Sequence, residues 1–280
     1  MKLRIRITFK TKRVPILYRH RVVSLVKEAL KRGNREYYGE LYLSNPPKPK
    51  PFTFSLFFHP PFKVEKLPLQ IDDEFKPESY RELSQVETFT LESETFSVNL
   101  STPDYPFAVS LVNGLVGLKE FLFSTDREML IGGEKQVWEL LKITPYRSRP
   151  VNGEEVVVKT LSPIVIESKG GKPVLWNSPD FQEALNFVVN RRLKDLRGRG
   201  LKRELEVEPV RKGSRELVEK KVVKTTFKDF REGTGKPYMV LTGSYGLFKL
   251  KGDREDLSYL TEVGLGNKCS QGFGMVEVLI

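Results

Sequence analysis

The amino-acid sequence predicts an α+β fold made of two halves that repeat one order of elements. The length of 280 residues suits one large domain or two ordinary ones. An apolar content of 39% is enough for packed cores and too high for a disordered chain. Strand-like alternation and helix-like spacing of apolar residues then follow one another in the same order twice.

The first half opens with a strand at residues 2–9, because every second side chain there is apolar. Apolar residues at i, i+3, i+4 and i+7 predict a helix over 18–32, which Gly33 ends. Asn34 is a helix-capping residue and begins a short second helix that reaches residue 42. The other predicted elements are strands at 52–58, 86–91, 94–100 and 135–143 and a helix at 106–121.

The second half repeats this series. Its predicted elements are a strand at 156–166, a helix at 180–197, a basic hairpin within 205–230, a strand at 239–250, a helix at 253–263 and a strand at 272–280. The order strand, helix, strand, strand, helix, strand is the ferredoxin-like, RRM-like (βαββαβ) plan. Residues 145–153 contain Pro and Gly and are the predicted linker, so we expect two tandem ferredoxin-like domains over 1–147 and 148–280.

The composition excludes membrane-spanning and metal-dependent classes. The sequence has no run of about 18 uncharged apolar residues and no apolar secretory stretch after Met1, so we expect a cytoplasmic protein without a membrane partner. The lone Cys269 cannot close an intramolecular disulfide, and two distant His residues form no ligand cluster. We therefore expect neither a metal nor a cofactor.

The positive charge is segregated along the chain. Residues 1–66 hold sixteen Lys and Arg against four acids, and residues 191–236 hold sixteen against eight, while the segment between them is acidic. Two basic segments brought together would form a groove that binds phosphates and releases their counterions. The alternative is a basic, solvated surface of the kind found in thermophilic proteins.

A glycine-rich turn lies between the last predicted helix and strand. Residues 264–274 contain four glycines, which permit left-handed backbone and a close approach to a phosphate or ribose, and Lys268 adds a charge. The alternative is a tight helix-to-strand turn with no ligand.

The order of these glycines resembles the signature of the CRISPR-associated endoribonucleases that cut precursor repeat RNA, the sixth Cas family within the RAMP superfamily. Gly-Leu-Gly is followed after five residues by Gly-Phe-Gly-Met-Val, as in that family. Residues 160–164 (TLSPI), 111–115 (LVNGL) and 51–55 (PFTFS) resemble three further family segments in the same order. The resemblance implies metal-independent cleavage, in which a ribose 2′-OH attacks the adjacent phosphate and leaves a 2′,3′-cyclic phosphate and a 5′-OH.

In many family members a Tyr on the first helix, a His at the end of the second and a Lys before the "FTFS" strand supply the catalytic groups. The resemblance places Lys27 where that Tyr stands, Tyr42 near the place of the His, and Lys50 at the place of the Lys. The usual His is not found at its expected place. Because the register of the Pro-rich loop is open, the alternatives are Tyr38, Ser44 and Lys48.

His20 offers a possible substitute for the missing His. It shares a polar stripe of the first helix with Ser24, Lys27 and Lys31. An ordinary His pKa near 6.5 suits proton transfer at neutral pH, so we expect His20 to move a proton, Lys27 and Lys50 to stabilise the phosphate, and Tyr42 to orient it or act as the acid. The alternative is that His20 is a capping or solvent-facing residue at the start of the helix.

The remaining basic residues and the glycine turn are predicted to bind RNA. Seven Lys and Arg fall within residues 191–203, at the end of a predicted helix, although such a helix end can also be stabilised by its dipole alone. The predicted RNA-binding residues are Lys31, Arg191, Arg192, Lys194, Arg197, Arg199, Lys202, Arg203, Lys224, Gly264, Gly266, Lys268, Gly272 and Gly274.

Three classes of function stay open at this point. The first is the endoribonuclease, with CRISPR repeat RNA, the pre-crRNA, as its partner and a monomer or homodimer as its state. The second is a catalytically weak or inactive repeat-RNA-binding protein, because the usual His is absent from its place. The third is a subunit of a CRISPR effector complex.

Overall fold

The computed structural model describes residues 3–71, 84–122, 129–168, 170–226 and 228–279. The helices are α1 (Arg19–Gly33), α2 (Arg35–Tyr42), α3 (Tyr105–Val116), α4 (Phe181–Arg197), α5 (Lys228–Thr234) and α6 (Arg254–Val263). The strands are β1 (Leu3–Lys10), β2 (Arg13–Pro15), β3 (Thr53–Phe58), β4 (Phe62–Ile71), β5 (Gln85–Leu91), β6 (Thr95–Thr102), β7 (Glu120–Leu122), β8 (Met129–Ile131), β9 (Glu134–Lys135), β10 (Val137–Tyr146), β11 (Glu155–Thr160), β12 (Glu206–Pro209), β13 (Arg211–Lys212), β14 (Arg215–Glu216), β15 (Val218–Thr225), β16 (Met239–Lys251) and β17 (Val276–Val278).

The first half is a ferredoxin-like unit. Its antiparallel sheet has the order β3-β6-β1-β10-β7, and α1 and α3 connect its strands in the βαββαβ manner. The central strand β1 pairs on both sides, with Ile7 opposite Val98 on β6 and Ile143 on β10. Alternate residues of β1 are buried, because the face of the sheet toward the helices forms the core. The predicted plan of this half is confirmed.

Two glycines bring α1 and α3 into backbone contact. A Cβ added at Gly33 would lie 1.9 Å from the carbonyl oxygen of Ser110, and one added at Gly114 would lie 1.8 Å from that of Ala29. Neither position has space for a larger residue. The close contact fixes the position of α1, the helix that carries Lys27.

The second half repeats the plan. Its sheet has the order β12-β16-β11-β17, with α4 and α6 as the connecting helices, and Val158 on β11 pairs with Phe248 and Val278. The long strand β16 also pairs with β15 through its first half. The tandem ferredoxin-like fold is therefore confirmed, and the division after residue 147 stays a prediction.

A third sheet was not expected from the sequence. It has the order β2-β5-β4-β8-β9 and is inserted between strands of the first unit. The strand predicted at 86–91 is β5, which belongs to this insertion and not to the ferredoxin-like sheet. The pattern of a strand is local, whereas the choice of partner depends on residues far along the chain.

Several predicted bounds were also wrong, including the start of the last strand, which is Val276 and not residue 272. The helix expected at 106–121 ends at Val116, and residues 120–122 form the edge strand β7 instead. The strand expected at 156–166 ends at Thr160, after which the chain bends toward β16. The predicted hairpin within 205–230 is divided, because β12 and β15 both pair with β16, and the short β13 and β14 pair with each other.

A buried polar seam joins the two units. The Arg4 guanidinium, 1% exposed, donates to the carbonyl oxygens of Thr261 (3.0 Å) and Val276 (2.8 Å) and lies 3.9 Å from the Glu262 carboxylate. The Ser101 hydroxyl donates to the same carboxylate at 2.8 Å. Removing any one of these groups would leave the others buried with fewer partners.

Within the described part of the chain, no helix combines the length and the apolar character that crossing a bilayer requires.

Candidate active site and nucleic-acid interface

The three residues placed by the resemblance meet beside the first two helices. Asn34 connects these helices: its amide donates to Leu30 at the end of α1, and its side chain accepts from the Tyr37 amide in the first turn of α2. α2 then places the Tyr42 ring against α1. The Lys27 ammonium lies 5.1 Å from the centre of that ring and the Lys50 ammonium lies 4.9 Å from it.

Lys50 is held by the end of α2 and by the loop that carries it. Its ammonium donates to the carbonyl oxygen of Leu41 at 2.7 Å and to that of Lys48. Burial lowers the pKa of the Lys50 ammonium, and the nearby charge of Lys27 lowers it further. Lys50 therefore gives up a proton more readily than an ordinary lysine.

Tyr42 brings a buried hydroxyl to the same place. Among the described residues this hydroxyl has no hydrogen-bond partner, and the same holds for the buried hydroxyl of Ser44. Burial raises the pKa of Tyr42 well above its usual range, with a smaller contribution from Tyr38, whose ring stacks on it at 5.4 Å. Tyr42 therefore stays protonated at neutral pH and can only donate or accept a hydrogen bond.

His20 does not match the expectation. It precedes Lys27 by seven residues, about 10 Å along the helix axis. Burial, followed by the charges of Arg21 and Arg231, lowers the pKa of His20 to about 3. The buried, positively charged surroundings of His20 therefore do not favour the predicted proton exchange near neutral pH.

The described residues contain no group of three or more His, Cys, Asp and Glu that could hold a metal ion. The Lys27, Tyr42 and Lys50 cluster instead offers two ammonium groups, a hydroxyl and an aromatic ring. Such a set can bind a phosphate, orient a neighbouring oxygen and give up a proton.

Most of the predicted basic patch is neutralised within the protein. Arg197 and Arg199 both pair with the buried Asp256, and Arg199 also pairs with Glu255. Lys202 pairs with Glu255 at 2.7 Å. Cations at the end of α4 thus meet carboxylates at the start of α6, and their prediction as RNA contacts is not supported.

Three further predicted contacts have partners of their own. Arg203 pairs with Glu154 at 2.9 Å and donates to the carbonyl oxygen of Gly252. Lys224 pairs with Glu87 at 2.6 Å and lies over the Tyr238 ring. Lys268 pairs with Glu167 beside the glycine turn. In each case the carboxylate offsets the positive charge that a phosphate would meet.

Lys31, Arg191 and Lys194 are different. All three are exposed, and none makes an ion pair with another described residue. Lys31 is one turn after Lys27 on α1, and Lys194 is one turn before the end of α4. These residues are the basic positions of the prediction that stay available to a phosphate.

The glycine turn packs against protein. A Cβ at Gly272 would lie 2.6 Å from the Phe54 ring, and one at Gly274 would lie 1.9 Å from the carbonyl oxygen of Leu265. The amides of Gly264, Gly272 and Gly274 already donate to backbone carbonyls. These three glycines are buried and do not form an open anion cradle, which favours the alternative of a tight structural turn.

Gly266 has the same structural reason to be a glycine. Its φ is +88°, and an added Cβ would lie 2.6 Å from the carbonyl oxygen of Val165. The turn also contacts the first unit, because the Thr53 hydroxyl donates to the Phe273 carbonyl at 2.8 Å.

One contact that bears on the site was missed at the sequence level. Arg192, which the sequence assigns to RNA, points its guanidinium at backbone oxygens of both units, including that of Lys50 at 3.4 Å. No signal within residues 191–203 distinguishes Arg192 from its neighbours, since its acceptors lie more than 70 positions away along the chain.

A cleft between the two units is a second feature that the sequence did not indicate. Its volume is about 180 Å³, and its lining includes Arg19, Lys221 and Tyr245. The Lys221 ammonium lies 5.9 Å from the centre of the Tyr245 ring. The only signal for this feature is the mixture of basic and aromatic residues on β15 and β16.

Comparison with known proteins finds one matching family model and several solved structures with a similar fold. Residues 146–278 match the family model "CRISPR associated protein Cas6, C-terminal". No curated protein sequence matches the chain. A Cas6-related structure from Pyrococcus furiosus has a TM-score of 0.70 at 19% identity and covers 100% of this chain and 99% of its own.

Two other solved structures are similar over their full length. A RAMP protein described as binding different RNA substrates has a TM-score of 0.68 at 19% identity, with 99% of this chain and 100% of its own covered. A CRISPR associated protein Cas6 has a TM-score of 0.61 at 20% identity, with 100% of both chains covered. The family match spans the second ferredoxin-like unit, and the structural similarity over both units shows that the chain shares the fold of these solved structures.

Proposed function

We propose that the chain is an endoribonuclease that binds CRISPR repeat RNA and cleaves the precursor without a metal. The observation that carries the proposal is the convergence of the Lys27 and Lys50 ammonium groups on the Tyr42 ring. Structural neighbours described as a RAMP protein binding RNA substrates and as a Cas6 product complex support RNA as the substrate.

The protein has to supply few catalytic groups for this reaction, because RNA carries its own nucleophile. The 2′ oxygen attacks the adjacent phosphorus, the bond from phosphorus to the 5′ oxygen breaks, and a 2′,3′-cyclic phosphate remains. The enzyme has to hold the 2′ oxygen in line, balance the growing negative charge on the phosphate and protonate the departing oxygen.

The cluster divides these tasks. Lys27 is exposed on α1 and would balance the charge on the phosphate oxygens. Lys50 would protonate the 5′ oxygen, since its lowered pKa makes it a better proton donor than an ordinary lysine. Tyr42 stays protonated and would orient the phosphate through its hydroxyl. Solvent water would take the proton of the 2′-OH, and solvent would return one to Lys50.

Binding would use the exposed cations. Lys31 continues the polar side of α1 beyond Lys27, and Arg191 and Lys194 lie on α4. Contacts with phosphates supply affinity without sequence choice, so selectivity would come from bases or from the shape of the RNA. Three further points stay predictions: that the protein is cytoplasmic, that it takes part in an effector complex, and that it is a monomer or a homodimer.

The test is cleavage of end-labelled repeat RNA by the purified protein in EDTA. We expect one discrete fragment that ends in a 2′,3′-cyclic phosphate, with its partner beginning in a 5′-OH. A Lys63→Ala variant, which removes an exposed charge on β4 of the inserted sheet, should cut at the wild-type rate. Intact RNA after prolonged incubation would overturn the proposal.

One observation favours a second function, a repeat-RNA-binding protein without turnover. His20 is the nearest histidine in sequence to the cluster, and its pKa near 3 leaves it neutral at physiological pH. The cluster then lacks a histidine. Retention of intact RNA at moderate ionic strength would identify the binder, whereas a discrete fragment would identify the enzyme.

A further inference from the structure

Arg192 connects the candidate active site to the second unit. Its Nη2 atom lies 2.7 Å from the carbonyl oxygen of Val263, the last residue of α6, and 3.4 Å from the carbonyl oxygens of Lys50 and Phe52. The side chain is partly buried. One guanidinium on α4 therefore contacts the segment that leads into β3 and the start of the glycine turn.

The segment around Lys50 depends on such a contact. Lys50 lies between Pro49 and Pro51, neither of which has a backbone N–H to donate. The paired part of β3 begins at Thr53, so the carbonyl of Lys50 lies outside the sheet ladder. Arg192 supplies a charged donor at this point, and charged donors form the stronger hydrogen bonds to backbone oxygens.

Lys50 is thereby held at two ends. Arg192 contacts its backbone carbonyl from the second unit, while its ammonium donates to Leu41 and Lys48 in the first unit. The charged or titratable groups that face the ammonium are Lys27 on α1 and Tyr42 on α2. A shift of the backbone at Lys50 would move the ammonium relative to both.

We propose that Arg192 is a positioning residue that fixes Lys50 in the active site, and that it is not an RNA contact. This inference rests on the proposed role of Lys50 in cleavage. It makes the arrangement of the second unit part of the catalytic geometry of the first, because the guanidinium reaches Lys50 from α4. A lysine at position 192 would keep the charge and lose the planar fork that lets one side chain contact several oxygens.

The experiment compares Arg192→Lys and Arg192→Ala with Arg13→Ala. Arg13 is a matched control, because its guanidinium also bridges two backbone carbonyls, those of Ile131 (2.7 Å) and Gly132 (3.1 Å), in the inserted sheet. Single-turnover cleavage with saturating enzyme in excess over RNA is measured across pH, together with the dissociation constant of the RNA. The pKa of Lys50 is followed by NMR in protein labelled with ¹³C at the lysine ε carbon.

We expect both Arg192 variants to lower the saturating rate about tenfold or more, with the dissociation constant changed less than about threefold. The alkaline limb of the pH profile should move to higher pH, because a loosened Lys50 is better hydrated and its pKa returns toward the ordinary lysine value. Arg13→Ala should leave the rate, the limb and the pKa of Lys50 as in the wild type.

Three results would overturn the inference. A weaker dissociation constant with an unchanged saturating rate would make Arg192 an RNA contact. Equal rate losses in the Arg192 and Arg13 variants would make its role merely structural. An unchanged Lys50 pKa in Arg192→Lys would show that the residue does not position Lys50, and this measurement holds even if the wild type cuts no RNA, so the two proposals fail separately.

Discussion

Removal of the Lys50 ammonium is the most direct perturbation of the candidate site. An ammonium has three N–H bonds, and two of them are donated to Leu41 and Lys48. One remains for the departing 5′ oxygen. A hydrogen bond from a charged donor contributes about 1.5–3 kcal/mol. With about 1.4 kcal/mol for each factor of ten, Lys50→Ala should lower the single-turnover rate by about 10- to 150-fold.

The pH dependence separates an acid from a fixed charge. If Lys50 is the acid, the rate falls as pH rises through its pKa, and this fall begins below the pH expected for an ordinary lysine because burial and Lys27 lower that pKa. Lys50→Arg keeps the charge but holds its proton at all accessible pH values. We expect this variant to be slow and to lose the alkaline fall.

The assay is cleavage of end-labelled repeat RNA with enzyme in excess, over about pH 6 to 10. Lys63→Ala serves as the control for loss of an exposed positive charge. A wild-type rate in Lys50→Ala would refute the assignment of Lys50 to the site. An alkaline fall that persists in Lys50→Arg would refute its role as the acid.

Three further outcomes follow from other parts of the molecule. The pKa of His20 is about 3 in the folded state and near 6.5 in the unfolded state, so the unfolded state binds the proton first as pH falls. The free energy of unfolding, measured by urea denaturation, should therefore decrease by about 1.4 kcal/mol for each pH unit from about pH 6 down to pH 4. His20→Gln should flatten this slope, and an unchanged slope in this variant would contradict the assignment. Gly274 has a φ of +65°, and an added Cβ would lie 1.9 Å from a carbonyl oxygen, so Gly274→Ala should lower the free energy of unfolding by about 2–4 kcal/mol. Gly213 has a similar φ of +62° but open space around it, so Gly213→Ala should lower it by only about 1–2 kcal/mol. Equal losses in the two variants would show that the steric clash at Gly274 does not matter. Lys194→Ala should reduce the slope of log affinity against log salt by about 0.7, and an unchanged slope would remove this residue from the RNA surface.

The sequence was sufficient for the two ferredoxin-like units because their elements are defined by local patterns. Alternation marks β1, helical spacing with Gly33 marks α1, and the Asn34 cap starts α2 where expected. These local signals also bring Lys27 and Tyr42 together, since the cap sets the angle between the two helices. The register of the Pro-rich loop came from the family resemblance and places Lys50 beside them.

The predictions that failed concern residues whose partners lie far away in the sequence. The sequence around Arg197 does not indicate its partner Asp256, which lies 59 positions further along the chain. The run of cations was therefore predicted to be available to RNA, although most of it forms ion pairs within the protein. The pKa of His20 is set partly by Arg231, on a helix more than 200 residues away. For Gly272, the missing Cβ is compatible with either a phosphate or the Phe54 ring, and only the folded chain decides between them.

The pairing of α4 cations with α6 carboxylates also shapes the electric field outside the protein. It largely cancels the charge at that end of the second unit, although the chain as a whole carries a formal charge of +11. Residues 1–66 hold sixteen cations against four acids and include α1 and the loop of Lys50. A polyanion drifting toward the molecule is thus drawn first to the helices that carry the lysine pair, and its rate of capture should decline as added salt shortens the range of that attraction.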